Sequence, residues 1–387
     1  MAEPLLAGVR VVESASLLTG ATVGMLLADL GADVVKVEPP HGDLIRWALG
    51  QVTPGYSPAH LQLNRNKRSV TLDMRAAEGL ALFRRLIEGA AVLVDGNAPG
   101  TLAKLGLSDG ELAQLNPGLV HCSVSGYGAS GPYAAIPTHG LMMSALVGAN
   151  PTTVTPDGGL LPAEYEGASI SGRGGDAAIA AGSAAAMQIC AALVRRERRG
   201  VGCRIDVSGA DALLAQSMIP VVYQANLDRI ADTTTLPMIS DGTSGPRYRL
   251  YATADRRAVA FTALEPKFWA RFCRAVGRED LLDARPDDTS LEQPLTEVFA
   301  TRTQQQWMDL AIAGGLAIGP VRSTLGEIVG DEHLRHRGVF VESEHPVAGA
   351  FTHVGMPGLI DDESFGIRLH APALGEHNDL FESGWPS

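Results

Sequence analysis

The chain has 387 residues, 45% of them hydrophobic, and a formal net charge of −12 at pH 7. This length exceeds one ordinary hydrophobic core, so we expect two domains. The acidic balance argues against nucleic acid as a partner, and no uncharged apolar run of about 18 residues predicts a membrane span. The cysteines lie far apart and the N-terminus lacks a basic leader segment, so we predict a cytoplasmic protein with reduced thiols and no metal site.

The first half of the sequence alternates between predicted strands and predicted helices. Short apolar or β-branched runs predict buried strands at 9–13, 33–38, 91–94 and 119–124. Apolar spacing predicts helices over about 20–29 and over 76–88, the first capped by Gly31. Because strands and helices follow one another at these spacings, we predict an α/β fold with a Rossmann-like parallel sheet.

The second half contains a long helix and a segment of different character. Small residues over 177–195 predict a closely packed helix, and 203–208 returns as a strand. A hairpin is predicted at 248–261, followed by helices at 268–276, 291–300 and 304–313. We therefore predict a large domain at 1–224 and 326–387, and a smaller α+β domain at 225–325. The stretches 218–245 and 325–340 are predicted as linkers.

Three N-terminal segments, 6–13, 25–40 and 64–73, combine strand, helix, Gly turn, Glu-Pro and a basic cluster in a fixed order. This order resembles the family III CoA-transferases (the CaiB/BaiF superfamily) and the related α-methylacyl-CoA racemases, over nearly the whole chain. The resemblance implies acyl-CoA thioesters as substrates, with no cofactor beyond the coenzyme A that is part of the substrate. It also implies an interlocked homodimer, with each active site between one chain's large domain and the other chain's small domain.

Basic residues are the candidates for binding the phosphates of coenzyme A. Phosphates require such donors, and arginine can bind them bidentately. With the family pattern, we predict CoA binding by Lys36, Arg65, Lys67, Arg68 and Lys104. The alternative for any one of them is an ordinary solvated charge.

The segment 137–148 holds a candidate for acid/base chemistry. In the transferases that the chain resembles, this helix start carries an Asp that becomes acylated and then holds CoA as a thioester. In the racemases the same place reads Gly-His-Asp, and the His is one of two acid/base residues. Here His139 is present but Gly140 stands where the Asp would be, and glycine has no nucleophile. The alternative for His139 is a structural hydrogen bond at a helix start.

Two carboxylates complete the predicted catalytic set. Glu265, in a segment similar to the racemase Glu-Pro-x-Phe motif, would orient His139 and raise its basicity. Asp176, in a Gly-rich segment before the long helix, would be the second acid/base residue, one position out of register with the racemases. The alternatives are helix capping for both residues, and Glu164 or Glu166 in place of Asp176.

Three interpretations of the function stay open. The first is a racemase-like isomerase of lipid metabolism, in which His139 and Asp176 move the α-proton of a 2-methylacyl-CoA. The second is a CoA-transferase that uses another carboxylate. The third is a CoA-binding, non-catalytic subunit of a heteromeric transferase, which the absence of the Asp would allow.

Overall fold

The computed structural model describes residues 4–149, 152–162, 175–231, 245–286 and 288–386. The chain divides into two compact units, residues 1–216 with 329–387 and residues 217–328. The larger unit is built on a parallel sheet, and the smaller unit on an antiparallel one.

Six strands form the large sheet, in the order β3-β2-β1-β4-β5-β8, and every neighbouring pair is parallel. They are β1 (Arg10–Ser14), β2 (Asp33–Glu38), β3 (Lys67–Thr71), β4 (Val92–Asp95), β5 (Val120–Ser125) and β8 (Cys203–Ser208). The antiparallel strands β6 (Thr152–Val154) and β7 (Leu160–Pro162) form a separate hairpin. The prediction of an α/β fold with a parallel Rossmann-like sheet is confirmed.

Helices connect these strands and cover the sheet. They are α1 (Leu17–Asp29), α2 (Pro58–Asn64), α3 (Ala77–Glu88), α4 (Thr101–Lys104), α5 (Asp109–Leu115), α6 (Gly140–Leu146), α7 (Asp176–Arg199) and α8 (Gly209–Gln216). Close packing of α1 on α7 needs a glycine, because a Cβ on Gly182 would overlap the side chain of Thr22. The close packing that was predicted for the small residues of α7 is therefore a contact with α1.

The final segment of the chain packs on the large unit. It contains α14 (Glu332–His336), the hairpin of β12 (Phe340–His345) and β13 (Gly349–Val354), and the short pair β14 (Leu359–Ile360) and β15 (Glu363–Ser364). Backbone and side-chain hydrogen bonds join it to the sheet region, for example from the Asn66 amide N–H to the Leu369 carbonyl at 2.9 Å.

The smaller unit has its own core. Its sheet comprises β9 (Tyr248–Ala252), β10 (Ala258–Thr262) and β11 (Ile318–Pro320). Its helices are α9 (Met218–Ala225), α10 (Pro266–Val276), α11 (Glu292–Phe299) and α12 (Gln304–Gly314), with α13 (Leu325–Val329) at its end. Fully buried aromatic rings fill the space between sheet and helices: Phe261, Phe272, Phe299 and Trp307.

The structure differs from the sequence predictions at several elements. Helix α1 begins three residues before the predicted start, and β11 was not predicted, because three residues give too short a pattern. The stretches predicted as linkers contain the short helices α9, α13 and α14. Within the described part of the chain, α7 alone has the length and hydropathy to span a bilayer, and half of that window is buried inside the fold.

Candidate active site

A cavity of about 920 Å³ opens in the large unit at the carboxyl ends of three parallel strands. Residues 16–20 follow β1, residues 96–99 follow β4, and residues 124–127 include the end of β5. The chain runs from β1 to β2 on one side and later reaches β4 on the other side of β1. Such a change of direction is where open α/β sheets bind ligands.

The remaining wall of the cavity comes from two connecting segments and a helix. Residues 44–49 and 134–143 contribute most of it, and Ala178 contributes from the first turn of α7. His139 is the N-cap residue of α6 and lines the cavity with an exposed side chain that does not cap the helix. Gly140 lines the cavity as well. The predicted motif 137–148 therefore borders this cavity.

Asp176 is the first residue of α7, two positions before the cavity-lining Ala178, and its side chain is partly buried. The N-cap residue of the helix is Gly175, so the alternative of Asp176 as the N-cap is wrong. Its carboxylate still lies at the positive end of the dipole of a 24-residue helix.

The other predicted carboxylates are not part of the described cavity. Glu265 belongs to the smaller unit, where it is the N-cap residue of α10 with an exposed side chain that makes no capping hydrogen bond. Its predicted contact with His139 stays a prediction. Glu164 and Glu166 lie outside the described residues.

Two of the predicted phosphate-binding lysines, Lys36 and Lys67, are buried against a carboxylate. Glu13, inside β1, accepts from Lys36 Nζ at 2.9 Å and from Lys67 Nζ at 2.6 Å, and all three side chains have 0% exposure. Lys36 also contacts Asp43 at 3.0 Å, and Lys67 donates to the carbonyl of Ala21 at 2.9 Å. Every charge in this cluster therefore has a partner within the fold.

Helix α1 passes directly over this cluster. A Cβ on Gly24 would overlap the Glu13 carboxylate, so only glycine allows the helix to lie so close to it. The buried polar cluster and the helix therefore depend on each other's positions. Helix α1 also connects this cluster to the cavity, since residues 16–20, which include the start of the helix, form one wall.

The other three candidate cations differ in their surroundings. Arg65 is 1% exposed and pairs with Asp29 at 2.7 Å, whereas Arg68, about a third exposed, pairs with Asp33. Lys104 is exposed at the end of α4, five residues after the cavity-lining Pro99. None of the five cations lines the cavity as the structure describes it, and phosphate binding by them stays a prediction.

A second buried pair fixes the wall at residues 44–49. Arg46 donates to both carboxylate oxygens of Glu38, at 2.6 and 2.8 Å, and its guanidinium also lies 3.1 Å from His60 Nε2. Burial alone would raise the pKa of Glu38, but hydrogen bonds from Arg46 and the charge of Lys36 hold it at about 2. Burial and the neighbouring Arg46 charge lower the pKa of His60 to about 3.

These pKa values predict loss of stability in acid. The unfolded state binds a proton at His60 below pH 6.5 and at Glu38 below about pH 4.5, whereas the folded state resists both until much lower pH. We expect the free energy of unfolding to fall by about 2 kcal/mol from His60 between pH 6.5 and 4.5, with Glu38 adding a loss below that. Urea unfolding at several pH values measures it.

The matched variants for this prediction are two histidine substitutions. His60→Gln should make the decline between pH 6.5 and 4.5 less steep, while the exposed His41→Gln should leave it unchanged. Equal slopes for wild type and His60→Gln would contradict the assignment.

The parallel sheet and a cavity at its carboxyl edge place the molecule among α/β proteins that bind small ligands at a topological switch point. The particular family is clear from comparison with known proteins: residues 6–378 match the model of CoA-transferase family III, and the chain belongs to that family.

Named relatives and solved structures agree with this assignment. Formyl-CoA:oxalate CoA-transferase of Streptomyces avermitilis is 30% identical, with 96% of this chain and 93% of the relative covered. Succinate–glutarate CoA-transferase of Agrobacterium fabrum is 30% identical, with 97% of this chain and 94% of the relative covered.

Among solved structures, an aspartate-to-alanine variant of Rv3272 from Mycobacterium tuberculosis matches with a TM-score of 0.78 and 26% identity, covering 97% of this chain and 98% of that one. A CAIB/BAIF family protein from Brucella suis has a TM-score of 0.73 and 26% identity, with 98% of both chains covered.

The two named enzymes are transferases, so the comparisons support CoA transfer better than the epimerisation that the sequence placed first. Handling of acyl-CoA is consistent with the whole family match. Glu13 and Asp29, the partners of three of the candidate cations, were not predicted. A charged residue inside the β-branched run of β1 was the available signal, because a charge buried in a central strand requires a partner.

Proposed function

We propose that this chain is a CoA-transferase that moves coenzyme A from an acyl-CoA to a second carboxylic acid, with Asp176 as the carboxylate that carries CoA. The observation that supports this most is the position of Asp176. It begins the helix whose first turn borders the cavity at Ala178, in a chain that belongs to CoA-transferase family III.

Two other carboxylates near the cavity are more deeply buried than Asp176. No Asp or Glu is among the described residues that line it. Asp43 and Asp95 each precede a lining residue, but Asp43 is buried against Lys36 and Asp95 accepts from the side chain of Asn97 at 2.8 Å. Asp176 is only partly buried, and thus suits attack on a bound thioester better than either.

The chemistry needs only this carboxylate. One Asp176 oxygen attacks the thioester carbonyl carbon, the carbon–sulfur bond breaks, and CoA leaves as a thiolate, which gives an acyl-aspartyl anhydride. The thiolate then attacks the aspartyl carbonyl, releasing the donor acid and leaving an aspartyl-CoA thioester. An acceptor carboxylate then attacks the aspartyl-CoA carbonyl and displaces CoA as a thiolate, which gives a second anhydride. The thiolate attacks the acceptor's carbonyl in that anhydride, which forms the new acyl-CoA and regenerates the Asp176 carboxylate. No proton or electron is consumed.

Trapping the intermediate tests the proposal. Wild-type protein incubated with an acyl-CoA and then with hydroxylamine should carry an aspartyl hydroxamate at Asp176, detectable by peptide mass spectrometry. Repeating the treatment without acyl-CoA is the control. A protein that transfers CoA between acids but yields no modified Asp176 peptide would refute this role.

A racemase is the second candidate, favoured by His139 along the cavity next to a glycine at position 140. Its signature is exchange of the α-proton of a 2-methylacyl-CoA with deuterium from solvent. His139→Ala should abolish such exchange while CoA still binds. Exchange without any trappable thioester would favour the racemase over the transferase. Absence of both activities would favour the non-catalytic subunit.

Lys104 is the best placed of the predicted cations to bind a phosphate of coenzyme A, because it is exposed and follows the cavity-lining loop 96–99. We expect Lys104→Ala to weaken CoA binding about fivefold at low salt, with a smaller difference at high salt, because ions screen an exposed pair. Calorimetry at two salt concentrations measures this. Arg75→Ala, at an arginine whose side chain is 86% exposed elsewhere on the same unit, is the matched control. An equal loss in both variants would point to general surface charge.

The expected homodimer has a candidate contact in α9. None of its residues is buried within the chain, and Ile219 and Val222 are 59% and 54% exposed. We expect a dimer by sedimentation at micromolar concentration, and dissociation by Ile219→Asp, since a buried charge at an interface is costly. Ile312→Asp, at an isolated residue 83% exposed on α12, should leave the dimer intact. A wild-type monomer would contradict the expectation.

A further inference from the structure

We infer that the cavity binds the bulky, apolar acyl group of a monocarboxylic acid and disfavours the acyl groups of dicarboxylic acids. This inference rests on the proposed function, because it names the substrate class of the same site. The inference is based on the side chains that line the cavity, and no sequence motif predicts which side chains these are.

The part of the wall that the structure describes offers no cation to a second carboxylate. Among its described residues there is no lysine, arginine, aspartate or glutamate, and one histidine, His139. A carboxylate taken from water into such a wall loses its hydration without gaining a partner. The nearby cations Lys36 and Arg46 are already paired with Glu13 and Glu38 inside the fold.

Large aliphatic side chains supply the surface that an apolar group would cover. Leu44, Leu49 and Leu141 line the cavity with 59%, 75% and 61% of their surfaces exposed, and Ile136 and Leu18 add to it. Apolar surface of this extent around a cavity is typical of a ligand site. Its volume of about 920 Å³ is enough for the thioester end of the substrate together with a long chain or ring system.

Binding measurements separate the acyl preference from catalysis. In the Asp176→Asn protein, which cannot form the anhydride, calorimetry would compare octanoyl-CoA, acetyl-CoA and succinyl-CoA. We expect octanoyl-CoA to bind at least about tenfold more tightly than acetyl-CoA, because its additional methylenes leave water, and succinyl-CoA to bind no more tightly than acetyl-CoA. Equal affinity for octanoyl-CoA and acetyl-CoA, or tightest binding of succinyl-CoA, would overturn the inference.

A charge placed in the wall provides the converse test. Leu141→Arg should weaken octanoyl-CoA about tenfold and strengthen succinyl-CoA, since the guanidinium would pair with the second carboxylate. Leu380→Arg, at a residue 55% exposed away from the cavity in the same unit, should change neither affinity. An unchanged ratio of the two affinities in Leu141→Arg would overturn the inference.

Failure of the inference and failure of the proposed function give different results. A trapped aspartyl intermediate in wild type with no acyl preference would refute only the apolar acyl group. Tight octanoyl-CoA binding with no trapped intermediate would refute the transferase and leave the acyl preference standing, because the affinities do not depend on the reaction.

Discussion

Asp176→Asn is expected to lower CoA transfer by at least roughly a thousandfold and to remove the hydroxylamine-sensitive intermediate completely. An amide cannot attack the thioester, and no other described carboxylate near the cavity is available to replace it. Affinity for free CoA should be unchanged, because the substitution alters one side chain at the start of α7 and no cation. Steady-state transfer rates, peptide mass spectrometry and calorimetry measure the three quantities.

Asp211→Asn is the matched control for this prediction. Asp211 lies in the first turn of α8, another helix of the same unit, with an exposed side chain outside the cavity lining. It should retain transfer and the intermediate. If Asp176→Asn keeps the intermediate, the nucleophile must be another residue, and Glu164 and Glu166 become the next candidates to substitute.

Glu13→Gln should have the largest effect on stability. It leaves Lys36 and Lys67, both 0% exposed, without the carboxylate that they share. Removing one partner from a buried ion pair typically costs about 3–5 kcal/mol, since the remaining charge stays desolvated. We therefore expect the free energy of unfolding, measured in urea, to fall by about this amount.

Two further variants test the cause. Asp73→Asn removes a charge from an exposed pair with Arg75, and should leave the free energy of unfolding close to that of wild type. Adding Lys67→Met to Glu13→Gln should recover part of the loss, because Lys36 keeps its contact with Asp43 at 3.0 Å. If Glu13→Gln is as stable as wild type, the cluster does not stabilise the fold.

The parallel sheet was predictable because its signal is local. A buried parallel strand such as β4 consists almost entirely of apolar residues, and the helix α3 before it shows one apolar face. Short elements such as β11 have no such pattern, since three residues are too few to show a period.

The roles of the cations were not predictable in the same way. A sequence shows that Lys67 is basic but not that its side chain lies under α1 against Glu13, 54 positions earlier. The cavity lining shows the same limit. Leu44 and Leu141 are nearly a hundred positions apart, and only the fold brings them to one wall.

Burial of two lysines limits how many side-chain amines of this protein an acyl-CoA can acylate without catalysis. Thioesters of coenzyme A slowly acylate free amines without any enzyme, and an acylated lysine loses its charge. The sequence contains four lysines, Lys36, Lys67, Lys104 and Lys267. Two of them are out of reach inside the fold, so only Lys104 and Lys267 offer a solvent-exposed side-chain amine. A protein that holds reactive thioesters thus exposes few lysine side chains to them.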